Sequence, residues 1–379
     1  SKDFPAPGQP EDGIVVLRQA QALAGIGHEI LVVRIVPHAP PLTSKWRAYR
    51  SVPERYAIEG IQVAAVRAFF PPRMIAMEYL PHQIDRPLQR IARAFAPDVV
   101  HAHCLIPSGQ LAVRFGIPAI ITAHGSDAYD WAWRRRGLQR AAADGARRAG
   151  TVVAVSDFIR RRVQDLVARD VEVIYNGADE EVFAPSDKRE AREALGISPQ
   201  RFVIAFAGGP ARIKGAFDLI DAIATMDELR PLALFSGPES MGPEIVRAAS
   251  RSSVDARFCG MLNHAELARV FAAADAFCLP SYREGLPLVI CEAMLAGRPV
   301  VASAVGGIPE IVTNDVHGFL VRAGDPAMLA KRLGDLASNP ETAARMGEAA
   351  FQFARQNLTW QVNAQRYDAL YRQLAGAAA

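Results

Sequence analysis

Short apolar runs alternate with amphipathic stretches along nearly the whole chain, and this alternation constrains the fold more than any other feature. The apolar runs are rich in β-branched residues, as in Ile30-Leu-Val-Val33 and Val152-Val-Ala-Val155, which favours buried strands. The intervening stretches space their apolar residues as one face of a helix does. Nearly continuous apolar strands that alternate with helices predict parallel sheets covered by helices on both faces.

The alternation runs in two series, separated by a turn-rich and then charged stretch at 176–200. In the first series the predicted strands are 30–33, 99–100, 119–122, 152–155 and 171–174, and the predicted helices are 14–26, 84–95, 107–115, 136–148 and 157–168. In the second series the predicted strands are 202–206, 232–235, 257–258, 276–279, 299–302 and 318–321, and the predicted helices are 215–226, 242–250, 264–273, 288–296 and 326–336. The tail at 340–375 is predicted to be helical.

Two doubly wound α/β domains, 1–178 and 179–358, are the simplest interpretation of the two series, and 379 residues suit two domains. Ligands of such sheets bind at the carboxyl ends of the parallel strands, so we expect a ligand site in a cleft between the two domains. Two α/β domains without a shared site are the alternative.

The charge balance excludes one class of function. The 43 Lys and Arg residues against 40 Asp and Glu give a formal net charge of +3, which is too balanced for a dedicated nucleic-acid binder. Residues 1–170 carry 23 basic and 15 acidic side chains, a balance of +8, and 171–379 carry 20 and 25, a balance of −5. The cysteines show no metal-ligand spacing, so we expect free thiols in a reducing cytoplasm. They are Cys104, Cys259, Cys278 and Cys291.

The stretch Glu284-Gly-Leu-Pro-Leu-Val-Ile-Cys-Glu292 carries the most chemical information. It follows a predicted strand and loop, and Pro287 suits the first turn of a helix because no hydrogen bond is lost there. The N–H groups at 286–289 favour a phosphate. Glu284 in the loop and Glu292 in the helix could address two parts of one ligand. Solvent-exposed glutamates on a capped helix are the alternative.

The loop Gly208-Gly-Pro-Ala-Arg-Ile-Lys-Gly215 follows the first strand of the second series and opens a helix. It matches neither the P-loop nor the dinucleotide-binding glycine pattern. Arg212 and Lys214 nevertheless stand where the loop enters the expected cleft, and two cations there suit a diphosphate. Two solvated surface charges are the alternative.

Three histidines end predicted strands of the first domain: His101, His103 and His124. No HExxH pattern and no acidic or cysteine partner at helical spacing accompanies them, which argues against a metal site. We interpret His124 as a hydrogen-bonding group for substrate and His101 as a structural residue, and for His103 both interpretations stay open. The chain also lacks a G-x-S-x-G elbow, which argues against a serine hydrolase.

Through these residues and motifs, the chain resembles a retaining family 4 glycosyltransferase of the GT-B fold over nearly its whole length. The motifs are weak singly, but their order is specific. The matching stretches are Ala22-Leu-Ala-Gly-Ile-Gly-His28, Pro97-Asp-Val-Val-His-Ala-His103, Thr122-Ala-His-Gly-Ser-Asp127, Val155-Ser156, Tyr175-Asn-Gly177, the loop with Arg212 and Lys214, Pro280-Ser281, the stretch 284–292, Pro299-Val-Val-Ala-Ser303 and Gly306-Gly-Ile-Pro-Glu310.

The resemblance implies two Rossmann-like domains that face each other across a cleft, with the helix in 359–379 crossing back to the first domain. It implies acceptor binding in the first domain and binding of a nucleotide-diphosphate sugar in the second. The catalytic residues that it implies are His124, Arg212, Lys214 and Glu284. The donor-binding residues that it implies are Gly13, Gly285, Leu286, Pro287, Leu288, Val289 and Glu292.

The resemblance also assigns roles. Glu284, with backbone at Gly285 and Leu286, would contact the donor sugar, and the N–H groups of Leu288 and Val289 would meet the phosphates. Glu292 would bind the ribose hydroxyls, and Arg212 and Lys214 would neutralise the leaving diphosphate. His124 would hydrogen-bond the donor sugar near its anomeric centre. Gly13 would approach donor or acceptor by its backbone. We expect attack by the acceptor hydroxyl on the face that the diphosphate leaves, with no metal and no cofactor.

The chain departs from the family pattern in two places. The family usually has an arginine at the position of Gly209, whereas Arg212 lies two residues before Lys214. The family also begins with a buried strand ahead of the Pro/Gly-rich loop, and Ser1-Lys-Asp-Phe-Pro5 resembles the segment that comes directly after that strand. We therefore expect a sequence truncated at its N-terminus by roughly ten residues, about one strand and its lead-in.

The segment Pro37–Tyr56 resembles glycosyltransferases of bacterial polysaccharide and teichuronic-acid-type clusters, which implies a sugar or lipid-linked sugar acceptor at the inner face of the membrane. The basic first domain, with Trp131, Trp133 and Arg134-Arg-Arg136, suits loose attachment of a cytoplasmic enzyme to anionic lipid, and a solvated helix start is the alternative. A transferase with a small-molecule acceptor and a non-catalytic sugar-nucleotide-binding or scaffold protein are two further interpretations that the sequence leaves open.

Overall fold

The chain divides into two units. The computed structural model describes residues 1, 3–9, 13–38, 44–69, 80–125 and 135–378, with only the backbone described at 44–46 and 378. One unit comprises Ser1–Asn176 with Trp360–Ala379, and the other comprises Gly177–Thr359. The sequence places the boundaries after 178 and after 358.

The first unit begins with a three-stranded sheet in the order β1-β3-β2, in which β1 is parallel and β2 antiparallel to β3. Phe4, Leu17 and Val63 are buried in the core beneath it. The elements are α1 (Ile14–Gly25), β1 (Leu31–Pro37), α2 (Ser44–Arg50), β2 (Arg55–Ile58) and β3 (Ile61–Ala68).

A second sheet of the same unit is parallel throughout, in the order β4-β5-β6-β7. Every residue of β5 is buried, as expected for a strand covered on both faces. The elements are α3 (Leu80–Phe95), β4 (Val100–His103), a π-helical turn (Leu105–Gly109), α4 (Gln110–Ala112), β5 (Ala119–Ala123), α5 (Arg136–Arg148), β6 (Thr151–Ala154), α6 (Asp157–Val167) and β7 (Glu172–Val173).

A cavity of about 570 Å³ in the first unit is lined by β1 and β4, one strand from each sheet. Ser1 pairs with β1 at this cavity: its amino group donates to the Val33 carbonyl at 2.8 Å, and the Ile35 N–H donates to the Ser1 carbonyl at 2.9 Å. This is the hydrogen-bond pattern of a parallel ladder. The expected strand ahead of Ser1 stays a prediction.

The second unit is built on one six-stranded parallel sheet in the order β10-β9-β8-β11-β12-β13. The chain leaves β8 toward one edge and returns to β11 on the other side of β8, so β8 and β11 flank the topological switch point. The strands are β8 (Val203–Ala207), β9 (Leu232–Ser236), β10 (Ala256–Phe258), β11 (Ala276–Leu279), β12 (Val300–Ser303) and β13 (Gly318–Val321). The helices are α7 (Lys188–Ala194), α8 (Ala216–Ala224), a 3₁₀ turn (Glu239–Met241), α9 (Gly242–Arg251), α10 (His264–Ala273), α11 (Leu288–Leu295), α12 (Ile308–Ile311), α13 (Pro326–Ser338) and α14 (Pro340–Asn357).

The last helix, α15 (Trp360–Ala378), follows the second unit in sequence but belongs to the first. Tyr367 and Leu370 are buried against Leu23 of α1 and Ile120 of β5. The predicted fold class, two parallel α/β domains with a C-terminal helix that returns to the first, is confirmed.

The hairpin of β2 and β3 was not predicted, and it adds an antiparallel pair to the first unit. Its turn residues, Glu59 and Gly60, have φ of 45° and 86°. The sequence signal for this hairpin is the dipeptide Glu59-Gly60, which stands between two runs of alternating polar and apolar residues.

The predicted helix 107–115 is confirmed only in part. A π-helical turn and the short α4 make the segment helical as far as Ala112, and Ile106 before it is extended. Pro107 follows Ile106 directly, and the residue before a proline is biased toward extended backbone. Helix α7 was missed because its charged residues show little periodicity; Asp187 begins it by accepting from the N–H groups of Arg189 and Glu190 at 2.7 and 3.0 Å.

Candidate active site

The switch point of the second unit brings two loops together. The loop after β8 carries Arg212 and Lys214 into α8, and the loop after β11 carries Ser281 and Glu284 into α11. Both loops leave the carboxyl ends of adjacent parallel strands. The two motifs that the sequence singled out are therefore neighbours in space, although 70 residues separate Lys214 from Glu284.

Lys214 and Glu284 form an ion pair at this point. The Lys214 Nζ donates to both carboxylate oxygens, at 2.7 and 2.8 Å, and the Ser281 hydroxyl donates to Glu284 Oε1 at 2.7 Å. Glu284 is only 5% exposed. A carboxylate so far removed from water needs such partners, because burying an unpaired charge costs several kcal/mol.

Two glycines allow the loops to approach so closely. Gly215 and Gly306 have φ of 72° and 59°. A Cβ at Gly215 would lie 2.0 Å from the Pro280 carbonyl oxygen, and a Cβ at Gly306 would lie 2.1 Å from the Glu284 carbonyl oxygen. Backbone from two sides therefore holds the loop that presents Glu284, and only glycine fits at either contact.

Helix α11 begins at Leu288, directly after this loop. Pro287 is the N-cap with φ −77° and ψ 114° rather than part of the first turn as predicted, because its ψ is extended. The first N–H groups of any helix lack acceptors within the helix. Here those N–H groups belong to Leu288 and Val289, both half-buried, and such a helix start favours an anion.

Glu292 lies inside α11, and burial raises the pKa of its carboxyl to about 7. Near neutral pH the group therefore occurs both as a hydrogen-bond acceptor and as a protonated donor. Carboxyls with such a shifted pKa are frequent in functional sites and occur in structural networks too.

The two cations of the loop after β8 have different surroundings. The methylene groups of Lys214 pass beside Gly208, where a Cβ would lie 3.6 Å from Lys214 Cγ. Arg212 is exposed, and its guanidinium carbon lies 5.0 Å from the centre of the Phe217 ring, within the range of a cation–π contact. The structure joins Lys214 to Glu284 and places Arg212 over Phe217.

In the first unit, the three histidines form a stack at the ends of β4 and β5. The His103 ring centre lies 4.4 Å from that of His101 and 5.2 Å from that of His124. His103 Nδ1 is 2.9 Å from His124 Nε2. Burial and the neighbouring His124 lower the pKa of His101 to about 3, and burial with the adjacent histidines holds the pKa of His103 well below its ordinary value.

Gly13, the other first-unit residue that the resemblance implicates, is the N-cap of α1 with φ 69°. A Cβ at this position would lie 2.4 Å from the Asp3 carbonyl oxygen. The fold of this loop therefore requires glycine there, and a role toward a ligand stays a prediction.

Three further features concern a possible metal site, a membrane-spanning helix and the state of the cysteines. In the part of the chain that the structure describes, no three His, Cys, Asp or Glu side chains are grouped to hold a metal ion. Among the same residues, no helix combines the length and the apolar character needed to cross a membrane. None of the four cysteines forms a disulfide bond, and Cys278 and Cys291 are buried. Trp131, Trp133 and Arg134 lie outside the described residues.

Several groups hold these side chains in place in roles that the sequence did not predict. Ser281 had a signal, since it follows a buried strand and precedes Glu284 by three residues. Tyr367 and Tyr371 had none, because 270 residues separate Tyr371 from its partner His101.

Comparison with known families matches both units. The family model for Glycosyltransferase Family 4 matches residues 13–182, and the model for Glycosyl transferases group 1 matches residues 187–353. The two matches together carry the motifs on which the resemblance depends.

Individual relatives agree with the family models. A D-inositol 3-phosphate glycosyltransferase of Kribbella flavida is 39% identical over 53% of this chain and 50% of its own length, and that of Corynebacterium efficiens is 33% identical over 74% and 72%. The putative teichuronic acid biosynthesis glycosyltransferase TuaC of Bacillus subtilis is 28% identical over 87% and 86%. The chain thus spans about half the length of the first of these relatives and most of the other two.

Solved structures share the fold. Sucrose-phosphate synthase from Thermosynechococcus elongatus superposes with a TM-score of 0.78 at 23% identity, over 96% of this chain and 93% of that one. Anabaena HepE in complex with UDP-glucose superposes with a TM-score of 0.72 at 22% identity, over 99% and 98%. At these identities the likeness concerns the fold, which is GT-B. Taken with the family models over both units, it follows that this chain belongs to the group 1 (family 4) glycosyltransferases.

Proposed function

We propose that this glycosyltransferase moves a sugar from a nucleotide-diphosphate donor to a hydroxyl acceptor, with retention of the anomeric configuration. The observation that carries the proposal is the Lys214–Glu284 pair at the switch point, beside the start of α11. A cation, a carboxylate and helix N–H groups in one place match the phosphates and the hydroxyls of a sugar nucleotide.

Each group has a role in this proposal. Lys214 and the N–H groups of Leu288 and Val289 hold the diphosphate and stabilise the negative charge that develops on it as it leaves. Glu284 accepts hydrogen bonds from sugar hydroxyls, helped by backbone at Gly285 and Leu286.

Four further roles in the proposal depend mainly on the family resemblance. Glu292 accepts from the ribose hydroxyls, Arg212 is a second partner of the diphosphate, and His124 bonds a substrate sugar. Gly13 approaches a substrate by its backbone.

The proposed step needs no nucleophile from the enzyme and no metal. The acceptor oxygen attacks the anomeric carbon on the face that the diphosphate leaves, so a glycosidic C–O bond forms while the sugar–phosphate C–O bond breaks. The proton of the acceptor hydroxyl passes to an oxygen of the leaving phosphate. Attack on the face of departure retains the anomeric configuration, which NMR coupling constants of the product measure.

The donor is tested first, because a specific donor stabilises the fold by mass action. UDP-, GDP- and ADP-sugars are screened by thermal shift, starting with UDP-glucose because HepE was solved with it. We expect one nucleotide to raise the melting temperature and its sugar to be transferred or hydrolysed.

Variants of the pair then test the chemistry. Glu284→Gln and Lys214→Ala should each lower kcat/KM about 100-fold, as removal of one charge-stabilising group typically does. The exposed Glu341→Gln and Lys331→Ala are the matched controls. Unchanged turnover in both pair variants would contradict the assignment, and donor binding without turnover would favour a non-catalytic binding or scaffold protein.

Two acceptor classes remain within the proposal. We favour a sugar or lipid-linked sugar in cell-envelope or exopolysaccharide synthesis, because TuaC matches over most of both chains. A small-molecule acceptor is the second candidate, because the relatives at 39% and 33% identity are D-inositol 3-phosphate glycosyltransferases. Mass spectrometry after incubation with D-inositol 3-phosphate or with bacterial lipid extract separates the two.

A cytoplasmic enzyme held loosely at the inner face of the membrane also belongs to this proposal. The excess of basic side chains in residues 1–170 supports it, since each cation near an anionic surface contributes about 1 kcal/mol. Co-sedimentation with phosphatidylglycerol vesicles at low salt should retain the protein. Absence of binding would remove the membrane from the proposal but leave the reaction untouched.

A further inference from the structure

The histidine stack lies on one face of the first unit's parallel sheet. In the register of β4 and β5, His103 pairs with Thr122 and His101 pairs with Ile120. Alternate residues of a strand face the same side, so His101, His103 and Thr122 share a face. Helix α15 covers that face with Tyr371, whose hydroxyl bonds His101, and Tyr367, whose hydroxyl bonds Thr122.

His101 is held at both ring nitrogens. Its Nδ1 lies 2.6 Å from the Tyr371 hydroxyl and its Nε2 lies 2.8 Å from the Thr122 hydroxyl. Thr122 Oγ1 in turn lies 2.7 Å from the Tyr367 hydroxyl. Thr122 and Tyr367 are each 1% exposed, so water does not compete for these bonds, and they fix the plane of the His101 ring.

The His101 ring stacks on His103, and the His103 ring stacks on His124. The planes of His101 and His103 are inclined by 26°, and those of His103 and His124 by 28°. His103 is 7% exposed, and its Nδ1 bonds His124 Nε2 at 2.9 Å. When both rings are neutral, one nitrogen of this bond carries the proton and the other accepts it, so the tautomer of one ring sets that of the other.

We propose that His103 and His101 are positioning residues for His124: His103 sets the tautomer of the His124 ring through their hydrogen bond, and helix α15 helps to fix the plane of that ring through Tyr371, Tyr367 and the stacked histidines. The inference rests on the proposed role of His124 toward a substrate sugar. A histidine that donates or accepts a hydrogen bond at a substrate needs one defined tautomer, and a partner at its other nitrogen supplies it. The last helix of the chain thereby acts on a substrate-binding residue of the first unit.

The first experiment reads the tautomer directly and needs no substrate. The ¹⁵N shifts of the labelled His124 ring report which nitrogen carries the proton. We expect a single tautomer in the ligand-free protein and a mixture in His103→Leu, while His103→Asn, whose amide can replace Nδ1, restores the single form. A single unchanged tautomer in all three proteins would overturn the proposal.

The second experiment measures coupling in turnover of UDP-glucose. His103→Leu should lower kcat about tenfold or more while KM stays within about twofold. In a His124→Ala background the same change should cost less than about twofold, because a residue that acts through another loses its effect when that residue is absent. An equal loss in both backgrounds would show that His103 acts independently of His124 and would overturn the proposal.

A milder variant covers the case in which His103→Leu does not fold. Tyr371→Phe removes only the hydroxyl that bonds His101, and it should lower kcat severalfold. Tyr56→Phe is the matched control, because it removes a hydroxyl that bonds the Pro5 carbonyl at 2.8 Å in the same unit. Equal effects of the two variants would refute the link to α15. If His124→Ala itself leaves turnover unchanged, the proposed role of His124 fails, and the tautomer measurement still decides the positioning.

Discussion

Ser281 shows how much a single hydroxyl can matter beside a buried charge. Its bond to Glu284 Oε1 is buried, and loss of one partner leaves a carboxylate short of a hydrogen bond away from water. We expect Ser281→Ala to lower the free energy of unfolding by about 1–3 kcal/mol and to weaken donor binding. Urea denaturation and donor titration measure the two effects.

Ser303 offers the control for that variant. It is also 0% exposed, at the end of β12, but within the described part of the chain its hydroxyl has no hydrogen-bond partner. Ser303→Ala should therefore not lower the free energy of unfolding, because it removes a buried hydroxyl that has no partner to lose. The prediction fails if the two alanine variants are equally stable.

Glu292 makes a prediction about pH. Its pKa in the folded protein is about 7, against an ordinary value of 4.5, so the folded state binds the proton more tightly than the unfolded state does. The stability that it contributes is present below about pH 4.5 and is lost as pH rises through about 7. Relative to Glu292→Gln, the wild type should therefore lose melting temperature between pH 5 and pH 8.5.

The exposed Glu341→Gln controls for the general effect of removing a carboxylate. Its melting temperature should follow that of the wild type over the whole range. If the melting temperatures of wild type and Glu292→Gln change with pH in parallel, the pKa of Glu292 is not raised in the folded protein.

At the scale of elements, the approach of the loops depends on glycine. Gly306 has φ of 59°, and a Cβ there would lie 2.1 Å from the Glu284 carbonyl oxygen. Gly306→Ala should push the Glu284 loop away, with a loss of at least about 2 kcal/mol in stability and a large loss of donor affinity. Chemical denaturation and calorimetric titration with UDP test both parts.

Gly334 is the matched control because it lies inside α13 and a Cβ there would meet nothing within 4 Å. Gly334→Ala should raise stability by about 0.5–1 kcal/mol, since alanine restricts the unfolded chain and favours helix. A Gly306→Ala protein that binds UDP as the wild type does would contradict the glycine argument.

At the scale of the whole molecule, the end of the chain stabilises its beginning. Leu370 of α15 is 7% exposed and packs in the cluster of Leu23 and Ile120. Leu370→Ala should cost about 2–4 kcal/mol, through lost burial and the cavity left behind. Hydrogen exchange should accelerate in Ser1–Asn176 and Trp360–Ala379 more than in Gly177–Thr359.

Leu333 of α13 is fully buried in the second unit. Leu333→Ala should therefore accelerate hydrogen exchange more in Gly177–Thr359 than in the first unit. Equal acceleration in both units after Leu370→Ala would show that the two units unfold as one. The experiment therefore also measures how independent the two units are.

The sequence alone predicted the fold class and the two second-unit loops that carry the candidate site, and the reason is local. Hydrophobic periodicity and β-branched runs reflect which residues of an element are buried, so they predicted the strands of both parallel sheets. Glu284, Lys214 and the start of α11 lie in loops that directly follow such strands, and the carboxyl ends of parallel strands fix where those loops meet.

Only the tertiary structure decided what depends on contacts distant in sequence. It joined Lys214 to Glu284 across 70 residues and brought Tyr371 to His101 across 270 residues. No period or spacing in a sequence encodes a partner on a distant element, because such a partner is chosen by how the elements pack against one another.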